Sequence, residues 1–304
     1  MRTPSFMAWL LTLSLAGQGA PQATRMPQTS QRALYALPIA RLAARAEKGD
    51  PMAQLALGRH FFRGDGVPEN FDEAARWFLL AAARGLPEAQ YNLGFSYDEG
   101  NGVPQDSGES IRWWWKAANQ GFAPAQFMLG LCYASGQGVP QDSAEAARYY
   151  RAAAAQGFAD AQYNLGCCYD QGDGVPNDFA ESAKWFRRAA EQGQTQAQYM
   201  LAYFCHQGHP GIPKDDAEAA GWYLKAAERG HHLAQRYLGI SYSIGQGVPQ
   251  DFAEAYIWLS IASANGDRDA VSYQEAMAGK LSSHALAEAQ ERARKRFEEI
   301  QAKQ

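Results

Sequence analysis

Cysteine, histidine and an excess of either charge are all scarce in this 304-residue chain. Four cysteines in such a length do not make the dense disulfide framework of a small secreted domain. Lys and Arg number 28 against 32 Asp and Glu, a formal net charge of −4, and so lack the basic surplus of a nucleic-acid binder. The apolar run from Phe6 to Ala16 is too short to span a bilayer as a stable anchor. Catalytic signatures are missing as well. There is no His-Glu-x-x-His for zinc, no Gly-x-Ser-x-Gly elbow, and no glycine-rich loop opening a helix after a strand. No catalytic residue, cofactor or metal is therefore predicted.

What is abundant is glycine, 29 residues of it, and it is periodic. Gly-Val-Pro recurs at Gly66, Gly102, Gly138, Gly174 and Gly247, with Gly211-Ile212-Pro213 as a variant. The period is 36 residues, and one extra residue near His209-Pro210 shifts the later copies. Each copy opens with Ala-x-x-x-Leu-Gly-x-x-Tyr, as in Ala89, Leu93, Gly94 and Tyr97, a spacing that puts these residues on one helical face. Glycine within a helix costs about 1 kcal/mol relative to Ala, so close approach of a partner helix is expected there. Gly-x-Gly-Val-Pro then ends the first helix.

Two residues after each Pro stands an N-cap candidate: Asn70, Asp106, Asp142, Asp178, Asp215 and Asp251. Glu73, Glu109, Glu145, Glu181, Glu218 and Glu254 follow three residues later, in the pattern of a capping box that starts a second helix. That helix carries Trp77, Trp113, Tyr149, Trp185, Trp222 and Trp258, each four residues before an Ala, and closes on Gly85, Gly121, Gly157, Gly193, Gly230 and Gly266. A unit is thus an antiparallel helix hairpin.

Together these motifs resemble the Sel-one-like repeat, a relative of the tetratricopeptide repeat, over about 70% of the chain. The resemblance implies an all-α, right-handed superhelical solenoid of six hairpins, over 50–85, 86–121, 122–157, 158–193, 194–230 and 231–266, with terminal capping helices over 34–49 and 267–304. Ala202 and Cys205 depart from the pattern in the fifth copy, and Phe61 in the first. For the last helix the sequence predicts a cap at Ser282 or Ser283 and an apolar stripe of Leu286, Ala289, Ala293, Phe297 and Ile300. Arg292, Arg294, Lys295 and Arg296 read as its solvated face, balanced by Glu291, Glu298 and Glu299.

By resemblance to tetratricopeptide superhelices, the first helices line a concave groove. Its first row is Leu55, Tyr91, Phe127, Tyr163, Tyr199 and Arg236; its second Arg59, Phe95, Leu131, Cys167, Tyr203 and Ile240; its third Phe62, Asp98, Ala134, Asp170, His206 and Ser243. Aromatics with Arg have the composition of binding hot spots, although packing of Tyr91, Tyr163 and Tyr199 on neighbouring helices is the competing reading. His206, His209, His231 and His232 fall on ends of helices that lie apart, and Cys132 and Cys168 share a repeat position suited to small core residues.

The N-terminus, with Arg2, the apolar run and a small-residue exit, matches a signal peptide over 1–16, cleaved after Ala16 or Gly19 and followed by a flexible lead-in over 17–33. A disordered tail on a cytoplasmic protein is the alternative. The family resemblance implies protein binding: a periplasmic immunity protein against a secreted toxin or effector, or an envelope adaptor, with no nucleic acid and no membrane span after cleavage. An enzyme acting on peptidoglycan or β-lactams, as linked to cysteine-rich relatives, lacks its cysteine pattern here.

Overall fold

The computed structural model describes residues 37–303. The predicted signal segment and lead-in lie outside the described residues. Among those residues are fifteen α-helices and no strand. A first helix, α1 (Ile39–Glu47), precedes six hairpins. These are α2 (Pro51–Arg63) with α3 (Phe71–Ala83), α4 (Pro87–Glu99) with α5 (Ser107–Asn119), and α6 (Ala123–Ser135) with α7 (Ser143–Ala155). They continue with α8 (Ala159–Gln171) and α9 (Phe179–Glu191), α10 (Thr195–Gln207) and α11 (Asp216–Ala227), and α12 (His232–Ile244) and α13 (Phe252–Ala264). Two further helices, α14 (Arg268–Ala278) and α15 (Ser283–Gln301), follow. The chain forms two compact units, one ending at Ala161 and the other beginning at Gln162.

Within a hairpin the helical glycine marks where the two helices close on one another. A Cβ on Gly58, Gly130, Gly166 or Gly239 would come within 2.6–2.7 Å of Phe78, Tyr150, Phe186 or Leu259, and on Gly94 it would run into the indole of Trp114. The side chain that fills this slot, a ring in four repeats and Leu259 in the sixth, belongs to the residue after the predicted tryptophan row. The row itself lies under cations: Lys116 Nζ is 3.5 Å from the Trp113 ring centre, Lys225 3.7 Å from Trp222, and Arg188 4.5 Å from Trp185. In the fifth repeat Ala202 fills the slot with its own Cβ, and the ring of Tyr223 lies against the next repeat instead.

The predicted N-caps all form, each aspartate or asparagine side chain accepting the N–H of the Glu three residues on. The reciprocal half of the capping box does not. The cap's own N–H donates back to a carbonyl near the end of the preceding helix, as from Asp106 to Tyr97 and from Asp178 to Tyr169 (both 2.9 Å). The glutamates, released from that duty, pair with cations: Arg76–Glu73, Arg112–Glu109, Arg148–Glu145 and Lys184–Glu181 along one helix, and Arg187–Glu218 between successive ones. These exposed pairs contribute little stability each.

One scaffold feature escapes the motif reading. A glutamine three residues before the recurring Leu is buried and donates to the end of the preceding helix: Gln54 to Ala46 O, Gln90 to Ala82 O, Gln198 to Ala190 O and Gln235 to Ala227 O (3.0–3.2 Å). Its own carbonyl accepts from the residue closing its hairpin, as in Gln120 to Gln90 (2.7 Å) and Gln192 to Gln162 (2.7 Å). Within each unit the side chain thus ties a repeat to the helix before it.

At the C-terminus Ser282 caps α15, whose Ala289, Ala293 and Ile300 are buried, with Leu286 and Phe297 half-buried. The expected solvated basic face is corrected in part. Arg294 and Lys295 do pair with Glu291 on their own helix, but Arg292 and Arg296 both reach Glu254 on α13, the second helix of the sixth hairpin, and Arg296 also covers Trp258. Charge pairing therefore docks this helix on the last repeat.

Candidate functional site

In the second unit the first helices α8, α10 and α12 each carry half-buried tyrosines. Tyr199 is central. Its ring stacks on His231 (centroids 4.5 Å apart, 19° between planes) and lies 6.1–6.4 Å from Tyr203, Tyr223 and Tyr237. Tyr237 in turn stacks on Tyr223 at 5.3 Å and 8°. Tyr163, Tyr199, Tyr203 and Tyr237 are half-buried, resting on a core that includes Phe186, Leu201, Phe204 and Leu238. Burial, reinforced by Tyr237 and Tyr203, pushes the Tyr199 phenol up to about 12, and burial likewise raises Tyr163. Both are uncharged hydrogen-bond donors near neutrality.

The remaining predicted groove residues of this unit frame the tyrosines. His206 pairs with Asp216 at 3.2 Å, and Arg236 is held by Asp267 at 3.3 Å and by Asp269. Ile240 and Asp170 are half-buried. Tyr237 and Tyr223 were not predicted for this face. A signal existed for Tyr237, which stands where the other copies carry Ala56, Asn92, Met128, Asn164 and Met200.

In the first unit the same rows behave differently, and the groove prediction is corrected there. Tyr91, Phe95, Phe127 and Asp98 are buried at 9%, 5%, 3% and 7% exposure. The cause is the residue just after the closing glycine of each repeat, which folds over the first-row side chain. Phe122 covers Tyr91 (5.4 Å) and Phe158 covers Phe127 (5.2 Å), while Trp114 packs edge-on to Phe95 (5.3 Å). In the second unit that covering position holds Gln194, His231 and Asp267, smaller or polar, and the tyrosines beneath stay partly open. Arg59 is occupied by Glu88 at 2.6 Å, and Phe62 packs against Phe71 and Phe78. Leu131 is half-buried.

The Sel1 repeat model matches six consecutive stretches: 51–86, 87–122, 123–158, 159–194, 195–231 and 232–267. The chain belongs to the Sel1 repeat family. A Sel1 repeat protein from Oxalobacter formigenes is 37% identical, over 78% of this chain and 68% of that one, with a TM-score of 0.69. The protective antigen c5321 of uropathogenic Escherichia coli, of SLR fold, is 24% identical over 90% and 85% of the two chains (TM-score 0.48). The immunity protein Pa5087 of Pseudomonas aeruginosa is 18% identical over 82% and 86% (TM-score 0.42). A comparison with curated proteins gives no match.

Against the Sel1 pattern the histidines of the fifth and sixth repeats are drawn into separate contacts. His209 lies between Phe179 (4.7 Å) and Phe204 (4.6 Å), and no cluster of three or more metal-ligating side chains occurs among the described residues. The four cysteines are free thiols, and burial pushes Cys132 and Cys205 up to about 12 and Cys167 up to about 11. No described helix is long and apolar enough to cross a membrane.

His231 caps α12 in place of the usual side chains. Its Nδ1 accepts the N–H of Ala234 (3.2 Å), which leaves the proton on Nε2, donated to Gln196 Oε1 (2.8 Å). Burial, with His232 adding to it, lowers its pKa from 6.5 to about 4. The unfolded chain takes up a proton near pH 6.5 that the folded chain refuses until about pH 4. Stability from this group is therefore complete above pH 6.5 and lost as pH falls towards 4, by on the order of 3 kcal/mol. Urea titrations of His231→Asn, which keeps an N-cap, are expected to show a flatter acid limb than the parent. An unchanged limb would reject this assignment.

Proposed function

We propose that this Sel1 repeat protein is a non-catalytic scaffold whose protein partner seats on the tyrosine face of α8, α10 and α12. The observation that carries the reading is the contrast between units. Tyr91 and Phe127 are sealed under phenylalanines in the first unit, whereas Tyr163 and Tyr199 at the same repeat position, with Tyr203 and Tyr237 near Tyr199, are left half-open in the second. Half-exposed tyrosines on a rigid helical frame offer large contact area at small entropic cost.

We place the protein's work outside the cytoplasm because its N-terminal sequence matches a signal peptide. The partner we favour is a secreted toxin or effector, which the protein would neutralise as an immunity protein. The envelope-adaptor role is the second outcome of the same experiment. Affinity capture with the mature chain, set beside Tyr199→Ala and Tyr203→Ala, is expected to recover a partner that each variant loses by thirtyfold or so in affinity, the effect of removing a hot-spot side chain. Protection of cells from that partner identifies an immunity protein, and a partner that is an assembly component identifies an adaptor. Equal recovery by parent and both variants, with their helical signal intact, rules the tyrosine face out.

A further inference from the structure

The charges around the tyrosine face are almost all satisfied within the protein. His206 pairs with Asp216, which Lys214 also approaches at 3.4 Å, and Arg236 is clamped by Asp267 and Asp269. Asp170 is different. It stands at the third row of α8, three residues after Cys167 and seven after Tyr163, on the same helical face, and among the described residues its carboxylate forms no ion pair, His209 acting on it only through its charge.

The reason lies in the repeat. In the first unit the corresponding acid, Asp98, accepts the amide of Gln137, 39 residues on (3.4 Å). Thirty-nine residues after Asp170 stands His209. The extra residue of the fifth repeat turns the chain there, with His209 and Ile212 exchanging backbone hydrogen bonds (2.8 and 3.0 Å), and the imidazole is held between Phe179 and Phe204. The amide that satisfies Asp98 therefore has no counterpart at Asp170. Half-buried, this carboxylate is held above the usual carboxylate range by burial, and the charge of His209 opposes that shift only in part.

We propose that the tyrosine face takes a basic segment of a partner protein, with one Lys or Arg side chain of that segment lying across the rings of Tyr163 and Tyr203 and its cationic head on Asp170. This rests on the protein-binding reading above and adds the chemistry of the partner. A cation supplies Asp170 with the direct ion pair that His209 does not form and meets the negative faces of the tyrosines favourably. An acidic segment would face Asp170, Asp216, Asp267 and Asp269 against Arg236, His206 and Lys214, a surplus of negative charge. A neutral apolar segment would complete the burial of a charge and leave it unpaired.

The test is selection of a random linear peptide library, displayed on phage, against the full chain, followed by titration of the best synthetic peptide. The expected consensus contains Lys or Arg next to an apolar residue. Asp170→Asn is expected to weaken the selected peptide about tenfold, and replacing its basic residue by glutamine is expected to weaken it as much on the parent but little on Asp170→Asn. Peptides without a basic residue that are lost on Tyr203→Ala but keep their affinity for Asp170→Asn would overturn this proposal and leave the protein-binding reading standing. Peptides indifferent to both variants, or no peptides at all, would overturn both. Circular dichroism of each variant separates loss of binding from loss of fold.

Discussion

Trp114→Ala is expected to lower the stability of the first unit by about 3–5 kcal/mol, read as a shift of its urea unfolding midpoint. Trp114 is 1% exposed, its indole sits on the bare backbone of Gly94, its Nε1 donates to Tyr91 O at 3.2 Å, and Phe95 meets it edge-on at 5.3 Å. Neither the glycine opposite nor the new alanine can refill that volume, so the cavity persists. Because stability in a repeat array is a sum of local and nearest-neighbour terms, the loss is expected in the first unit's transition. Trp115→Ala, one residue on and 36% exposed, is the control and is expected to stay within about 0.5 kcal/mol of the parent. Equal effects at the two positions would refute the packing account.

A second large effect is expected at Gly102. Its φ is +73°, and a Cβ there would run into the backbone carbonyl of Phe71 at the start of the preceding repeat's second helix. Gly102→Ala combines a left-handed backbone penalty of about 1–2 kcal/mol with a clash against atoms that cannot rotate away, for a total of about 3 kcal/mol or more. Gly85 isolates the first contribution. Its φ is +86° and nothing lies within 4 Å of a Cβ placed there, so Gly85→Ala is expected to cost only the backbone penalty. Thermal unfolding of the two variants side by side checks the difference, and similar melting temperatures would show that the loop moves aside.

The motifs that repeat were legible because each reports a local requirement. Asp142, for instance, caps a helix whatever its neighbours are, and Gly100, at φ +72°, stops one by its backbone alone. The groove was less legible because burial of one side chain depends on a residue from the next repeat. Nothing around Tyr91 announces Phe122, and nothing around Tyr199 announces His231, since 31 and 32 residues separate the partners. The capping glutamates were misread for a similar reason: a carbonyl at the end of the preceding helix already satisfies the cap N–H, as Tyr97 does for Asp106, so the carboxylate turns to an arginine.

By itself, then, the sequence determined the repeat, its hairpins and the ends of its helices, because capping, helix termination and apolar periodicity act within a few residues. Only the tertiary structure decided which aromatics are core and which are surface. Burial is a property of the contacts between repeats. The identity of one covering residue, phenylalanine in the first unit and glutamine or histidine in the second, leaves Tyr163 and Tyr199 partly open, and the turn at His209 leaves Asp170 without the amide that Asp98 has.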